Sequence, residues 1–326
     1  METTTTTKIP MWLDCDPGHD DAMAIILAAY NPKVNLLGIT TTHGNSSIEH
    51  TTINACRVVY TCGIENVPII RGAGGALCHQ GLETVSEAIH GFDGLGTKNN
   101  VKFPTSTVEP LKANPYLYMY EAISKSPQKV HVVATGNLTN IAILLKAFPE
   151  VKENIEQIVF MGGAINFGNV TPAAEANIFN DPEAADIVCD CGLKVVMVPL
   201  EVTHTALVTP EIIQKIESMN SSFANLCVGL LQFFHDSYKQ EFDFDSPPLH
   251  DPCAVAYCID QALFEEKFCN TRIERTSLSK GRTVCDMFGL TNLKKNVHVT
   301  TKMDVPKFWE LMLAALAQAN SRSKME

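Results

Sequence analysis

Short apolar runs alternate with segments of helical periodicity along the first two thirds of the chain. The runs are rich in Val, Ile and Leu without strict alternation, which is typical of strands covered on both faces of a sheet. They predict strands at 9–13, 34–40, 67–70, 129–135, 155–162 and 193–199, with helices at about 20–30, 48–62, 114–125, 137–147 and 181–190. This alternation indicates right-handed crossovers and an α/β fold, with an open, mainly parallel sheet flanked by helices.

The last third of the chain is more helical. Its periodicity predicts helices at 209–218, 221–240, 251–260 and 304–319, with one late strand at 296–303. No repeat or linker divides the chain, so we expect a flexible tail at 1–8 and a single domain over 9–320. Long irregular connections lie at 71–100, 162–185 and 239–252. Long connections are uncommon in compact domains unless they are functional or mobile.

Composition narrows the class of function. The chain has 326 residues and a formal net charge of −11, which argues against nucleic acid or an anionic membrane as its main partner. The apolar run at 22–29 is too short to span a bilayer, and the N-terminus lacks the pattern of a secretory signal. Eleven cysteines without a CxxC pair are typical of buried thiols, so we expect a reducing, cytoplasmic location.

Four aspartates crowd the end of the first predicted strand. Asp14, Asp16, Asp20 and Asp21 occupy eight positions that contain no basic residue, and Pro17-Gly18 between them predicts a sharp turn. Aspartates at a helix N-terminus can simply favour the helix dipole, but this accounts for one or two of them and not for four. Carboxylates held together need an external cation, and an oxygen-rich site of this kind suits Ca²⁺ or Mg²⁺ better than zinc.

Polar residues also follow two other predicted strands. Thr135 to Asn137 follow the strand at 129–135, and Met161 to Gly163 follow the strand at 155–162. Ligands of open α/β sheets bind beyond the carboxyl ends of the strands. We therefore expect these clusters and the aspartates to converge at one edge of the sheet.

Several segments carry a resemblance to a known family. The segment DCDPGHDDAMAI (14–25) resembles the opening signature of the nucleoside hydrolases, the inosine–uridine-preferring N-ribohydrolases. Five further segments resemble those of the family in the same order: TTTHGN (40–45), IHGFDGLG (89–96), ATGNLTNIA (134–142), MGGAINFGNVTPAAEANIFNDPEAA (161–185) and HDPCAVAY (250–257). The resemblance covers about residues 9 to 315 and implies a Rossmann-like nucleoside hydrolase fold.

The resemblance also implies roles for individual residues. Calcium would be held by Asp16, Asp21, Asp251 and the backbone carbonyl of Thr135, and Asp16 would take a proton from the attacking water. His250 would protonate the departing base, while His90 would line the base pocket and Tyr238 would border the base. The ribose hydroxyls would be bound by Asp20, Asn45, Asn169, Glu175 and Asn177. Family members are usually homodimers or homotetramers, so we expect a homo-oligomer.

Some of these residues also have plain structural interpretations. His250 and Asp251 can simply begin the helix at 251–260, although the aspartate cluster favours the functional interpretation. His90 can be a solvated loop residue, and Asn45 a turn residue. We expect Asn137 to be a helix N-cap and His19 to face outward from the first turn of its helix.

One position departs from the family pattern. Members that act on purines commonly carry an aromatic residue in an AEFN-like segment, whereas this chain has Ala176 in the sequence AEAN. Aromatic stacking on a base contributes roughly 1–3 kcal/mol in nucleic-acid complexes. We expect the stacking surface to be lost or to come from another residue such as Phe167, which leaves the base preference open.

Two other functions compete with nucleoside hydrolysis. The Asp14-x-Asp16 pattern is similar to the nucleophile loop of magnesium-dependent haloacid-dehalogenase-like phosphatases, but Gly18 stands where that loop carries a hydroxyl residue. A non-catalytic ribonucleoside-binding protein would need neither a base nor an acid, whereas this chain has both Asp16 and His250. We therefore predict a calcium-dependent ribohydrolase of nucleoside salvage, acting on uridine with inosine as a second substrate.

Overall fold

The protein forms one α/β domain around a single large sheet. The structure, a computed structural model, describes residues 8–79 and 84–325, so the predicted tail at 1–8 lies almost wholly outside the described residues. The strands are β1 (Ile9–Cys15), β2 (Val34–Thr41), β3 (Ile69–Arg71), β4 (Val130–Ala134), β5 (Ile155–Met161), β6 (Val195–Val198), β7 (Phe264–Cys269), β8 (Thr271–Ile273), β9 (Thr283–Cys285) and β10 (Val297–Met303).

Twelve helices connect or flank these strands in the described part of the chain. They are α1 (His19–Tyr30), α2 (Ile48–Thr61), α3 (Thr84–His90), α4 (Pro115–Ser124), α5 (Thr139–Ala147), α6 (Ala176–Asn180), α7 (Pro182–Cys189), α8 (Leu200–Thr203), α9 (Pro210–Glu217), α10 (Ser222–Phe242), α11 (Pro252–Ile259) and α12 (Val305–Arg322). No helix of residues 8–79 and 84–325 has the length and apolarity needed to cross a membrane.

The main sheet has the strand order β3-β2-β1-β4-β5-β6-β10-β7. All neighbouring strands are parallel except β7, which pairs with β10 in the antiparallel direction. The prediction of an open, mainly parallel sheet is therefore confirmed. Helices cover both faces, because alternate residues of β1 enter two separate cores: Met11 and Leu13 on one face and Trp12 on the other.

The predicted strands and helices match observed elements, with differences of a few residues at their ends. Strand β7 was not predicted, because Glu265, Glu266 and Lys267 expose their side chains at the edge of the sheet and interrupt any apolar pattern. The β8–β9 ribbon and the short helices α3, α6 and α8 were missed as well. Helices α3 and α6 lie inside two of the connections that were predicted to be irregular.

Candidate active site

The candidate site lies where the strand order reverses. From β1 the chain continues to β2 on one side, whereas β4 pairs with β1 on the other side. The turn Asp16–Gly18 leaves the carboxyl end of β1, and Thr135 follows the end of β4, with its N–H donating to the Asp14 carbonyl at 2.8 Å. Such a reversal opens a crevice between diverging connections, which is the usual ligand position in an open α/β sheet.

Four buried carboxylates meet in this crevice. Carboxylate oxygens of Asp20, Asp21 and Asp251 all lie within 4.8 Å of one another. The Asp16 carboxylate lies beside this group, since Asn45 donates to both Asp16 Oδ2 and Asp21 Oδ2. Asp21 is held firmly: its carboxylate accepts hydrogen bonds from the Thr135 hydroxyl at 2.7 Å and from the Gly18 N–H at 3.0 Å. Two of the three aspartates named as metal ligands, Asp21 and Asp251, therefore meet Asp20 directly, and Asp16 adjoins them.

The electrostatics of the cluster fit a bound cation. Burial, followed by repulsion from Asp21, raises the pKa of Asp20 to about 8 and that of Asp16 well above its usual range. Burial and repulsion from Asp20 likewise raise the pKa of Asp251. Asp16 Oδ1 and Asp20 Oδ1 are buried without a hydrogen-bond partner among the described residues. Buried carboxylate oxygens without partners are costly, and this all-oxygen donor set suits a hard divalent ion.

Amide and carboxyl groups line the side of the cavity beside the cluster. Asn45 donates through its side chain to Asp21 Oδ2 at 3.0 Å, and its N–H donates to Asp16 Oδ2 at 2.8 Å. Asn177 Nδ2 donates to the Thr135 carbonyl at 2.8 Å, so this proposed ligand oxygen already accepts one hydrogen bond and keeps one lone pair. Asn169 Oδ1 accepts the Ala176 N–H at 3.0 Å.

Glu175 is both a cavity residue and the N-cap of α6. Its carboxylate accepts the N–H groups of Gly163 and Asn177 at 2.8 Å each and that of Ile178 at 3.2 Å. Burial nevertheless raises its pKa to about 7. A carboxyl fixed by three backbone donors is oriented before a substrate arrives, although few of its lone pairs remain for a sugar hydroxyl.

His250 and Tyr238 form a hydrogen-bonded pair in the cavity lining. The Tyr238 hydroxyl lies 2.7 Å from His250 Nε2, and the Thr203 hydroxyl lies 2.7 Å from His250 Nδ1. Burial, followed by the nearby His204, lowers the pKa of His250 well below its usual range, so the ring is neutral near pH 7. Both ring nitrogens of His250 therefore have hydrogen-bonding partners. The partner that also lines the cavity is Tyr238. No motif or spacing in the chain indicates this role for Thr203.

His19 does not face outward, so that prediction was wrong. Its side chain is fully buried because the first turn of α1 packs against α10 and α3. The ring stacks against Phe233, Phe234 and His90, each at a centroid distance of 5.3 Å. Burial lowers the pKa of His19 to about 4. His90 is buried as well and lines the cavity, so it is not a solvated loop residue.

Two further expectations are corrected by the structure. Asn137 is not the N-cap of α5, since Leu138 occupies that position. The Asn137 side chain instead accepts the Thr42 hydroxyl at 3.0 Å and joins β4 to the segment after β2. Phe167 supplies no stacking surface: its side chain is 80% exposed and lies outside the cavity lining.

The cavity joins all seven predicted substrate residues, whereas Asp16 and Asp21 are not part of its lining. Its lining includes Asp20, Asn45, His90, Asn169, Glu175, Asn177, Tyr238, His250 and Asp251. Its apolar walls, which sequence reasoning missed, come from Ile89, Val170 and Phe242. The cavity, which is open to solvent on one side, has a volume of about 80 Å³ and is smaller than the roughly 300 Å³ or more of typical ligand pockets.

A larger groove of about 840 Å³ lies between α2 and residues 93–110. Of its acidic residues, Glu49 and Asp93 are paired with Arg71 and Arg57, respectively, and Glu109 is exposed to solvent. The groove therefore lacks the buried, crowded carboxylates that distinguish the smaller cavity. Chemistry, and not size, identifies the smaller cavity as the candidate active site.

Gly136 provides a test of the position of Asp16. A Cβ atom at residue 136 would lie 2.5 Å from Asp16 Oδ1, the unpartnered oxygen. Gly136→Ala is expected to push this carboxylate out of place and to lower both metal affinity and turnover by about tenfold or more, since site residues tolerate only small displacements. The measurement is calcium titration together with steady-state kinetics.

Gly75→Ala is the matched control for this substitution. A Cβ at Gly75 would have no heavy atom within 4 Å, so this variant is expected to behave as the wild type. Equal behaviour of the two variants would contradict the assigned position of Asp16.

The comparisons with known proteins agree with this geometry. The family model described as "Inosine-uridine preferring nucleoside hydrolase" matches residues 11–310. A probable ribonucleoside hydrolase of Dictyostelium discoideum is 44% identical over 94% of each chain. A pyrimidine-specific ribonucleoside hydrolase RihA of Shewanella sp. (strain MR-4) is 40% identical over 94% of this chain and 96% of its own.

A solved structure extends the likeness to three dimensions. The purine-preferring ribonucleoside hydrolase from Gardnerella vaginalis superposes with a TM-score of 0.88 at 32% identity, covering 96% of this chain and 99% of its own. The fold and the buried acidic crevice define a hydrolase of N-glycosidic bonds. The chain belongs to the inosine-uridine preferring nucleoside hydrolase family.

Proposed function

We propose that this protein hydrolyses the N-glycosidic bond of ribonucleosides in a calcium-dependent reaction and releases free base and ribose for nucleoside salvage. The observation that carries the proposal is the sharing of one cavity by two groups of residues. Asp20 and Asp251 bring the buried acidic cluster to the cavity lining, and Tyr238 and His250 contribute a hydrogen-bonded pair to the same lining. Hydrolysis needs a water activated on one side of the sugar and a proton supplied to the base on the other.

The acidic cluster is the proposed place of water activation. Asp16, Asp21, Asp251 and the Thr135 carbonyl would hold the ion, which when bound lowers the pKa of a coordinated water and orients the vicinal hydroxyls of the ribose. Asp16 keeps Oδ1 without a protein partner, so this oxygen is available to accept the proton of the attacking water. Its other oxygen is fixed by the Asn45 N–H, which prevents rotation of the carboxylate.

The sugar subsite is proposed to lie between the acidic cluster and α6. Cleavage of the bond passes through an oxocarbenium-like sugar, whose positive charge is stabilised by nearby carboxylates such as Asp20. Asn45, Asn169, Glu175 and Asn177 are each already held by the hydrogen bonds described above. Their remaining donors and acceptors would bind the ribose hydroxyls with little rearrangement, which contributes directly to the rate.

The Tyr238–His250 pair is proposed to deliver the proton to the departing base. Because the pKa of His250 is depressed, its neutral ring can receive a proton on one nitrogen as it releases one from the other. Tyr238 lines the same cavity, and its hydroxyl would give its proton to the base as negative charge develops there while taking the Nε2 proton of His250 in exchange. Thr203 fixes the orientation of the ring through Nδ1.

We propose uridine as the preferred substrate and inosine as a second one. The relatives support both classes of base, since the Shewanella enzyme is named pyrimidine-specific and the Gardnerella enzyme purine-preferring. Ala176 offers no aromatic surface, and the phenyl and phenol rings that line this cavity are those of Phe242 and Tyr238. The lining contains no lysine or arginine, which favours a neutral nucleoside over a nucleotide, whose phosphate needs a cationic partner.

Location and assembly complete the proposal. All eleven cysteines lie in the described part of the chain and are free thiols, which favours a reducing cytoplasm. A homodimer or homotetramer is proposed from the family resemblance alone. We also propose that the folded domain corresponds to residues 9–320.

Release of free ribose tests the proposed function. The panel is uridine, cytidine, inosine, adenosine and guanosine, each assayed with calcium and with a chelator. We expect chelator-sensitive release, with uridine ahead of inosine and of the remaining substrates. A phosphatase would release phosphate from nucleotides instead, and a ribonucleoside-binding protein would release nothing from any nucleoside. Absence of ribose release from the whole panel would reject the proposal.

A further inference from the structure

The imidazole of His19 contacts both ends of the loop 90–96. This loop borders the cavity through His90. Its Nε2 lies 2.8 Å from the Gly96 carbonyl at the end of the loop, and its Nδ1 lies 3.1 Å from His90 Nδ1 at the start. The loop is closed on itself by the Gly96 N–H, which donates to the His90 carbonyl at 3.0 Å. His19 therefore does more than fill space in the core, because each of its ring nitrogens contacts a separate partner.

The partners of His19 determine where its proton lies. A carbonyl oxygen can only accept, so the 2.8 Å contact with Gly96 requires a hydrogen on Nε2. The ring is fully buried between phenylalanine rings, where a second proton and its charge would be costly. The neutral ring then presents a bare Nδ1 to His90.

The same argument fixes the proton of His90. Two ring nitrogens at 3.1 Å form a hydrogen bond only if one of them carries the hydrogen, and His19 Nδ1 does not. The hydrogen therefore lies on His90 Nδ1. The backbone N–H of His19 also donates toward His90 Nδ1, which by itself would favour a bare Nδ1. At 3.3 Å this contact is longer than the two contacts of the His19 ring, and we take the shorter two to decide the position of the proton.

We infer that His19 is a positioning residue that locks His90 in the tautomer with Nε2 bare, which makes His90 a hydrogen-bond acceptor at the base subsite. His90 lines the cavity, and its Nε2 has no hydrogen-bond partner within residues 8–79 and 84–325. This inference rests on the proposed function for its substrate. The ligand chemistry that matches a bare Nε2 is a base with an N–H on the facing edge, such as the imide of uracil.

Two substitutions at residue 19 separate the two contacts of the ring. In His19→Asn, the side-chain oxygen replaces Nδ1 as the acceptor for His90, and the link to Gly96 is lost. In His19→Gln, the side-chain amide replaces Nε2 as the donor to Gly96, and the acceptor for His90 is lost. If His19 only held the loop, His19→Gln would be the better tolerated substitution. Gln keeps the hydrogen bond to the Gly96 carbonyl and more of the side-chain volume.

We expect the opposite ranking in kcat/KM for the preferred nucleoside. His19→Asn should stay within about threefold of the wild type, whereas His19→Gln should lose about tenfold, as expected for one lost hydrogen bond in a buried pair. In a His90→Ala background the two variants should differ by less than about twofold, because the effect passes through His90. Equal or reversed ranking, or a gap that persists without His90, would overturn the inference.

A spectroscopic measurement on the wild-type protein needs neither variant to fold nor the enzyme to be active. Long-range ¹H–¹⁵N correlation of ¹⁵N-histidine-labelled protein distinguishes protonated from bare ring nitrogens, and His90→Ala assigns the His90 signals. We expect a protonated Nδ1 and a bare Nε2 at His90. The reverse pattern would overturn the inference, even if ribose release had already established the enzyme. If no nucleoside were cleaved, the spectrum would still decide the tautomer.

Discussion

Asp16→Asn is expected to lower the rate of ribose release by about 10²–10⁴-fold, the usual contribution of a general base, while the protein remains folded. The amide has nearly the same shape as the carboxylate and can still accept the Asn45 N–H, which now lies 2.8 Å from Asp16 Oδ2. It cannot accept a proton from water at the position of Oδ1. The measurement is single-turnover ribose release at saturating substrate and calcium, with circular dichroism to verify folding.

Asp14→Asn is the matched control, because Asp14 is also a fully buried aspartate in the same signature. Its carboxylate accepts from the Thr40 hydroxyl and from Asn140, whereas Asp16 shares Asn45 with Asp21. Burial raises the pKa of Asp14 to about 7, so the group is already partly neutral and an amide imitates that form. We expect a loss of less than tenfold here. Comparable losses in both variants, or near-normal turnover of Asp16→Asn, would refute the role of Asp16.

The sheet could be predicted because its strands are covered on both faces. Burial on both faces requires continuous β-branched runs, as in β4 and β5, and such runs are visible in the sequence alone. Strand β7 pairs at an exposed edge, where only its end residues Phe264 and Cys269 are buried. Its formation depends on the hydrogen bonds offered by β10, which no local pattern reveals.

The acidic part of the site was predictable for a related reason. Asp16, Asp20 and Asp21 lie within one short signature, and their mutual repulsion follows from proximity along the chain. The histidine part depends instead on contacts between distant segments. His19 meets His90 across 71 residues, and Tyr238 meets His250 only because α10 folds back over the cavity. Helical periodicity alone placed His19 outward, since it contains no information about α10.

Calcium is expected to raise the melting temperature of the wild-type protein, by more at pH 8 than at pH 6.5. An ion at about 100 times its dissociation constant stabilises the folded state by about 2.7 kcal/mol, and this corresponds to about 5 °C for a domain of this size. The pH dependence follows from the raised carboxyl pKa values. With the pKa of Asp20 at about 8, protons compete with the ion increasingly as the pH falls from 8.

The metal-free protein should show the complementary trend. Its folded state retains protons on Asp16, Asp20 and Asp251 that the unfolded chain has released, so its stability should increase as the pH falls from 8 to 6.5. Below about pH 6.5 the buried histidines oppose this trend, because their lowered pKa values mean that only the unfolded chain gains protons there. The comparison of pH 8 with pH 6.5 therefore isolates the carboxylates.

Asp16→Asn distinguishes ion binding at the cluster from a general effect of calcium. Removing one of four crowded carboxylates relieves repulsion, so the metal-free variant should melt at or above the temperature of the metal-free wild type. The same variant should lose most of the calcium-dependent increase. Such a pattern would mean that the crowded carboxylates destabilise the metal-free protein and that the same carboxylates bind the ion. A calcium response that is equal in both proteins, or absent at both pH values, would place the ion elsewhere and remove the basis for water activation at Asp16.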